Sequence, residues 1–277
     1  MFIIQSKSDI VSKVISVENV TELINEALDR NWKKYKNEID EFETLSEKDK
    51  ASTKLLFIFD KCKSLINTSN KISKLFSCPA PLIRGAIAEI LATELFEAFL
   101  KIEGINGTVV NSSIIPVNNP NNPNLKTTQV DVVCVTDKCI FVCECKSLFG
   151  KLKTDGETIL SPNIPNPIYP WKQNRAHILS LTKELEKLNI RQISYQNLVF
   201  LFSIGKFISY EQPEDINEHL LVPKGFLKNL KDIYKNLSSY KPIQPQEINT
   251  ITNYLISKKP TIEQITEHIE ALEKLFK

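Results

Sequence analysis

Three charged side chains interrupt an otherwise apolar stretch of the chain, QVDVVCVTDKCIFVCECKS at 129–147. They are Asp131, Glu144 and Lys146. Charged side chains are seldom buried in strands unless they are paired or bind a metal. The two apolar, β-branched runs flank a polar break at 136–138, and this pattern predicts a β-hairpin whose strands are buried on both faces. These three residues are therefore the first candidates for chemistry.

The register of the predicted hairpin decides whether its two acids meet. A turn centred between Asp137 and Lys138, with a loop of two or four residues, places Asp131 opposite Glu144 on one face of the hairpin. Opposed residues have Cβ atoms roughly 4.5–5.5 Å apart. Two carboxylates at that distance raise each other's pKa unless a cation lies between them. A three-residue loop would instead place the two acids on opposite faces.

Two carboxylates and a backbone carbonyl from the same strand suit a hard divalent ion such as Mg²⁺ or Mn²⁺. Lys146 lies two residues beyond Glu144 and points to the same face. There its amine could hold or deprotonate an attacking water and balance charge on a phosphate. The alternative, from these residues alone, is a buried salt bridge that does no chemistry. Cys143 and Cys145 are expected to point to the opposite face.

Five short motifs follow one another between about residues 83 and 205. They are GAIAE at 85–89, the hydrophobic-Asp strand, the Glu-x-Lys strand, Gly150–Lys151–Leu152, and NPIYPWKQNRAHI at 166–178. In this order and spacing they resemble the PD-(D/E)xK nuclease superfamily and, within it, the nuclease-related (NERD) domain. One departure is that Val130, rather than proline, precedes the acid of the first strand.

The resemblance implies an α/β fold with a restriction-endonuclease-like core. We expect a mixed sheet, a helix that carries Glu89, a second helix that carries Gln173, and helical extensions at both ends. The resemblance divides the chain into a helical N-terminal region (1–78), a nuclease-like core (79–210) and a helical C-terminal region (211–277).

The same resemblance implies Mg²⁺-dependent hydrolysis of phosphodiester bonds, with DNA as the expected substrate. The expected metal ligands are Asp131, Glu144 and the Cys145 backbone carbonyl, with Glu89 in support. Lys146 would position or activate the water, and Gln173 would orient the water or contact the phosphate. Glu94 is a less favoured substitute for Glu89.

Four basic side chains are expected to contact nucleic acid. They are Lys151, Lys153, Lys172 and Arg175. Lys172 and Arg175 lie on the same helical turn as Gln173, where they could pair with phosphate oxygens. His177 lies one turn beyond Gln173 on the same face. The alternative for this turn is an ordinary helix with a polar face.

Apolar residues at helical spacing predict the elements that must position these side chains. The predicted helices span residues 17–42, 46–66, 83–102, 171–188, 225–240, 246–257 and 261–276. Besides the hairpin, buried strands are predicted at 108–115 and 197–204, with an Asn- and Pro-rich loop at 116–128 and an irregular segment at 149–169. Ser46 is expected to cap the second helix, with Asp49 completing a near capping box. Gly85 and Ala86 are expected to let the third helix approach its neighbours closely.

Composition excludes several other classes of protein. Thirty-five Lys and Arg against thirty-three Asp and Glu leave a net charge of +2, so contact with nucleic acid requires a local basic patch.

Six cysteines without a CxxC pair are typical of a reduced, cytoplasmic protein, and the CxC at 143–145 has no second pair to complete a zinc site. With only seven glycines the chain has no P-loop and no GxGxxG. A Cys145–His177 nucleophile is disfavoured because Cys145 faces away from the charged residues. No apolar run reaches the roughly 18 residues of a membrane span.

An alternative of a different class is a nucleic-acid-binding or assembly module that keeps the nuclease fold without turnover. The family resemblance also suggests defence against phage or plasmids, beside a helicase or ATPase partner. The apolar stripe predicted at 262–276 would form either a homo-oligomer interface or an internal packing surface.

Overall fold

A computed structural model describes residues 24–76, 80–117, 127–161, 164–202, 206–237 and 242–258. In chain order its helices are α1 (24–37), a 3₁₀ helix (Phe42–Thr44), α2 (Glu47–Asn67), α3 (Ser69–Phe76), α4 (Ala80–Glu103), α5 (Pro170–Lys187), α6 (Phe226–Asn236) and α7 (Pro245–Ser257). The strands are β1 (Gly107–Pro116), β2 (Thr127–Thr136), β3 (Ile140–Lys146), β4 (Lys151–Thr154), β5 (Ile159–Leu160), β6 (Tyr195–Leu201), β7 (Lys206–Ser209) and β8 (Glu218–Leu221). Among the described helices, none combines the length and the apolar character that crossing a bilayer requires.

A five-stranded sheet lies at the centre of the fold, in the order β1-β2-β3-β6-β8. The pairs β1–β2 and β2–β3 are antiparallel, whereas β3–β6 and β6–β8 are parallel. The crossover from β3 to β6 runs through α5, because parallel neighbours cannot be joined by a tight turn. The predicted mixed sheet, with helices on its flanks, is confirmed.

The β2–β3 hairpin has the register that a two-residue loop requires. Val132 pairs with Cys143 and Val135 pairs with Ile140. The Thr136 backbone N–H donates to the Cys139 carbonyl at 3.0 Å, which leaves Asp137 and Lys138 as the loop. Every side chain of β3 except Lys146 is buried. The strands are therefore covered on both faces, as the apolar pattern predicts.

Each face of the sheet is covered by a different set of helices. On one face α4 and α6 pack through Phe96, Phe99 and Phe226 against Phe141 and Phe200 of the sheet. On the other face α5 and α7 pack against the alternate residues of β2 and β3. The buried residues of that second core include Val133, Val142, Leu181, Leu185 and Ile251. Since strand side chains alternate between faces, these two cores also fix which face each charged residue occupies.

The helix that carries Glu89 and the helix that carries Gln173 end within three residues of their predicted bounds. Ser46 caps α2 as predicted: its Oγ accepts from the Asp49 N–H at 3.2 Å. The predicted helix at 261–276, residues 1–23 and most of the loop at 116–128 lie outside the described residues. The three-region division of the chain stays a prediction.

Two short elements depart from the sequence analysis. The segment 149–169, predicted to be irregular, contains β4 and β5, which join β7 in a second, three-stranded sheet. Leu152 and Ile159 of this sheet are buried against Trp171 at the start of α5. The other departure is β8, which adds a parallel edge strand to the main sheet. Both were missed because strands of two to four residues carry too few side chains for a detectable alternation.

Candidate active site

Glu144 and Lys146 lie at the carboxyl end of β3, under the first turns of α5. The Glu144 side chain is buried with 2% exposure, and its Oε1 forms an ion pair with Nζ of Lys146, which is 22% exposed. Lys146 Nζ also donates to Gln173 Oε1 of α5 at 3.4 Å. The structure thus brings together three residues that the sequence analysis selected from separate motifs.

Asp131 lies at the neighbouring position on β2. Its Oδ2 accepts a hydrogen bond from the Cys145 backbone N–H at 2.8 Å. Burial, followed by the negative charge of Asp131, raises the pKa of Glu144 to about 8, although Lys146 acts in the opposite direction. Burial also raises the pKa of Asp131 itself, against the lowering effects of Lys146 and the Cys145 N–H. The strand pairing, which is recorded as far as Val132 and Cys143, places Asp131 across from Glu144 when it is continued by one residue, and the charge of Asp131 disfavours that of Glu144.

Glu89 reaches the same two acids from α4, on the other side of the sheet. The Ser112 hydroxyl of β1 donates to Glu89 Oε2 at 3.2 Å. Ser112 has a left-handed backbone with φ of 52°, at the one position of β1 between Asn111 and Ser113 where the pairing with β2 is interrupted. Burial and then the charge of Asp131 raise the pKa of Glu89 well above its ordinary range. We call Glu89, Asp131, Glu144 and Lys146 the acidic cluster.

The helix acid of this cluster is Glu89 rather than Glu94. Glu94 Oε2 instead pairs with Lys54 Nζ of α2 at 2.8 Å. The expected reason for a small residue at Gly85 is wrong, because a Cβ built there would meet no atom within 4 Å. Ala86, by contrast, is buried. Gly85 therefore faces open space beside α4 and does not mark a close approach of this helix to another element.

His177 is part of the site, although the sequence analysis gave it no role beyond its face on the helix. It is 2% exposed, and its Nδ1 lies 3.5 Å from Glu144 Oε2. The spacing of one turn from Gln173 was visible in the sequence, but the contact depends on how α5 docks on β3. Ser112 gave no sequence signal, since a positive φ at a serine cannot be read from residue type.

A group of buried amides, also missed by the sequence analysis, fixes the first turns of α5 to the sheet. Asn174 Nδ2 donates to the Val142 carbonyl and to Asn197 Oδ1, both at 2.7 Å. Asn197 Nδ2 donates to Glu218 Oε1 of β8 at 2.7 Å. We call Asn174, Asn197 and Glu218 the amide network. Because Asn174 directly follows Gln173, this network sets the position of Gln173 over Lys146.

The donors of the acidic cluster match the chemistry of a hard divalent ion. Carboxylate oxygens are the ligands that Mg²⁺ and Mn²⁺ prefer, and Glu144 Oε2 is buried without a hydrogen-bond partner. Within the described residues, however, no three His, Cys, Asp or Glu side chains are already grouped as ligands. The acidic cluster therefore fits an ion by its donor types, and Asp131, Glu89 and Glu144 would have to close around it. The Cys145 carbonyl stays a predicted ligand.

The four predicted nucleic-acid contacts lie on exposed surfaces of the core. Lys151 and Lys153 project from the same face of β4, and Lys172 is exposed on α5. Arg175 pairs with two carboxylates instead: its Nη2 lies 3.3 Å from Glu157 and its Nε lies 3.2 Å from Glu218. Contact with nucleic acid stays a prediction for all four, and Arg175 would have to exchange its present partners to make one.

A mixed sheet that presents an acid, a Glu-x-Lys strand and a helix-borne Gln at one end resembles the restriction-endonuclease-like class of nuclease domains. Comparison with known families agrees: the model of the NERD, or nuclease-related domain, family matches residues 84–202. That range contains every member of the acidic cluster and Gln173. The resemblance inferred from the motifs is confirmed for this part of the chain.

Two further comparisons add no argument about function. None of the curated proteins matches the chain. Among solved structures, the crystal structure of a protein of unknown function, AF1548, matches at 15% identity. The match covers 66% of this chain and 98% of that one, with a TM-score of 0.24.

Proposed function

We propose that the protein is a metal-dependent nuclease that hydrolyses phosphodiester bonds in nucleic acid, with DNA as the expected substrate. The observation that carries the proposal is the acidic cluster itself. Glu144 forms an ion pair with Lys146, and burial together with the charge of Asp131 raises the pKa of Glu144 and of Glu89. A divalent cation would stabilise such an arrangement. The match to a nuclease-related family indicates that the reaction the cation assists is phosphodiester hydrolysis.

In this mechanism Asp131 and Glu144 would hold the ion, assisted by the Cys145 carbonyl and by Glu89. When bound, the ion lowers the pKa of a water and neutralises charge that develops on the phosphate. Lys146 Nζ donates hydrogen bonds to Glu144 Oε1 and to Gln173 Oε1. Although burial disfavours its charge, Glu144 and Asp131 raise the pKa of Lys146. The residue therefore acts as an ammonium that orients the water and balances the phosphate.

Lys151, Lys153, Lys172 and Arg175 would hold the substrate backbone beside this centre. Their expected role is to position the strand, because phosphate contacts carry no sequence information. Charge provided by a few exposed side chains also agrees with the small net charge of the whole chain.

The test is an assay of purified protein on linear, circular and single-stranded DNA and on RNA. Each substrate is incubated with Mg²⁺, with Mn²⁺ and with a chelator. We expect cleavage of DNA that requires the ion and is lost in Asp131→Ala. Binding without cleavage under every ionic condition would instead identify the alternative function, a nucleic-acid-binding or assembly module without turnover.

The family resemblance is the sole support for the biological setting that we include in this proposal. That setting is cytoplasmic defence against phage or plasmids, beside a helicase or ATPase partner, with assembly into homo-oligomers as a further expectation. A plaque assay that compares cells carrying the wild-type protein with cells carrying the Lys146→Ala form tests the defence role. Equal phage sensitivity of these two strains would contradict it.

A further inference from the structure

Arg84, near the start of α4, has an environment unlike that of the lysines of α2 and α6 that pair with carboxylates of the same helix. Its guanidinium carbon lies 4.4 Å from the ring centroid of Phe149. Its Nε is buried and has no hydrogen-bond partner. Burial lowers the pKa of Arg84. The side chain is therefore partly removed from water without receiving a hydrogen bond in exchange.

Comparable lysines around the same helix are neutralised by carboxylates. Lys54 Nζ lies 2.8 Å from Glu94, and Lys231 Nζ lies 2.7 Å from Glu103 at the far end of α4. For Arg84, by contrast, no carboxylate in the described part of the chain lies within salt-bridge distance. A desolvated cation with an unmet donor costs free energy unless an anion binds it. The geometry of Arg84 therefore suits an anionic ligand.

Two chain separations relate Arg84 to the acidic cluster. Phe149, over which the Arg84 guanidinium lies, follows Lys146 by three residues, so the Cα atoms of Phe149 and Lys146 are separated by at most about 11 Å. Glu89 follows Arg84 by five residues on α4, which is about 7.5 Å along the helix axis. A nucleic-acid strand several nucleotides long therefore reaches from a phosphate held at Lys146 to Arg84.

We propose that Arg84 binds a backbone phosphate of the nucleic-acid substrate on the strand that passes Lys146. This inference rests on the proposed nuclease function and adds a substrate-binding residue to it. The Phe149 ring lies under the guanidinium, and the two terminal nitrogens, which are not among the buried unpaired atoms, are the ones available for contact with a phosphate. Gly85 leaves open space next to this position, because no atom lies within 4 Å of a Cβ built there.

The test is binding of a fluorescent DNA oligonucleotide to the full chain in chelator, where cleavage does not interfere. We expect Arg84→Met, which keeps an apolar side chain over Phe149, to weaken binding about tenfold at moderate salt. The slope of log affinity against log salt should become shallower by about one. Lys231→Met is the matched control, because it removes one partly buried cation that already has a carboxylate partner. Arg84→Met binding within twofold of wild type would overturn the proposal.

A second measurement separates failure of this inference from failure of the nuclease proposal. If the wild type binds no oligonucleotide, the proposed function fails, and the probe becomes inorganic phosphate. The Tm of the wild type should then rise in phosphate relative to chloride at equal ionic strength, and Arg84→Met should abolish the rise. Equal shifts in both proteins, or no shift in the wild type, would overturn the role of Arg84. If Arg84→Met does not fold, Arg84→Gln takes its place in both assays.

Discussion

The acidic cluster and the amide network are two groups of buried or half-buried polar side chains at the main sheet, and they differ in how their charges are neutralised. In the amide network the Glu218 carboxylate accepts from Asn197 and lies 3.2 Å from Arg175. In the acidic cluster three carboxylates share one ammonium, and Glu144 Oε2 accepts no hydrogen bond. Both groups require desolvation, and each leaves one buried oxygen without a hydrogen-bond partner, Asn174 Oδ1 in the amide network and Glu144 Oε2 in the acidic cluster. They differ in charge, because the amide network pairs its one carboxylate with Arg175, whereas the acidic cluster has three carboxylates and one ammonium.

This difference separates a structural role from a functional one. A carboxylate with internal partners stabilises the fold and needs no ligand. Carboxylates that repel one another are expected where a ligand of opposite charge binds, since perturbed ionisation concentrates at functional sites. The amide network positions Gln173 through Asn174, and the acidic cluster provides the chemistry.

The largest expected effect comes from Lys146. Lys146→Ala should reduce the initial rate of Mg²⁺-dependent cleavage about 10²–10⁴-fold, because it removes the donor beside the metal ligands. Rates on a labelled duplex measure this effect. Lys187→Ala, which removes an exposed lysine paired with Glu184 on the same helix as Gln173, is the control and should retain the wild-type rate. A Lys146→Ala rate within tenfold of the wild-type rate would show that the acidic cluster has a structural role and not a catalytic one.

A substitution in the amide network should lower the free energy of unfolding more clearly than the rate of cleavage. Asn174→Leu leaves the Val142 carbonyl and Asn197 Oδ1 without their donor, so we expect a loss of about 2–3 kcal/mol in the free energy of unfolding. Urea denaturation measures it. An unchanged urea midpoint would show that α5 is held by apolar packing alone.

Glu144, in the acidic cluster, should make the stability of the protein depend on pH. Its pKa is about 8 in the folded protein against an ordinary value of 4.5, so the folded state binds more protons than the unfolded state between these values. Stability of the metal-free protein should therefore fall as pH rises from about 4.5 to about 8. Urea midpoints at four pH values, in chelator, measure the fall. Glu144→Gln should abolish most of it, and parallel profiles for the two proteins would contradict the account.

The smallest effect is expected at Gly85, on the side of the acidic cluster away from α5. Gly85→Ala should raise the free energy of unfolding by up to about 1 kcal/mol, since alanine favours helix and its Cβ meets no atom. Thermal unfolding measures the gain. A destabilised variant would mean that α4 is closely packed there after all.

The sequence was sufficient for the parts of the site that depend on period and register. The polar break at 136–138 predicts the hairpin, and the even-numbered loops among those it allows place Asp131 across from Glu144; apolar spacing predicts α4 and α5. Contacts that depend on docking between elements were not predictable. His177 reaches Glu144 through the position of α5 on β3, and Ser112 reaches Glu89 through a local reversal of φ. The same holds for Asn174, whose partners belong to two other elements.

Calorimetric titration of Mn²⁺ into the metal-free protein tests the central claim most directly. The account predicts saturable binding to the wild type, loss of that binding in Glu144→Gln, and retention in Glu218→Gln, which alters the amide network instead. Binding that is equal in the wild type and Glu144→Gln, or no binding to the wild type, would contradict the assignment of the acidic cluster as a metal centre.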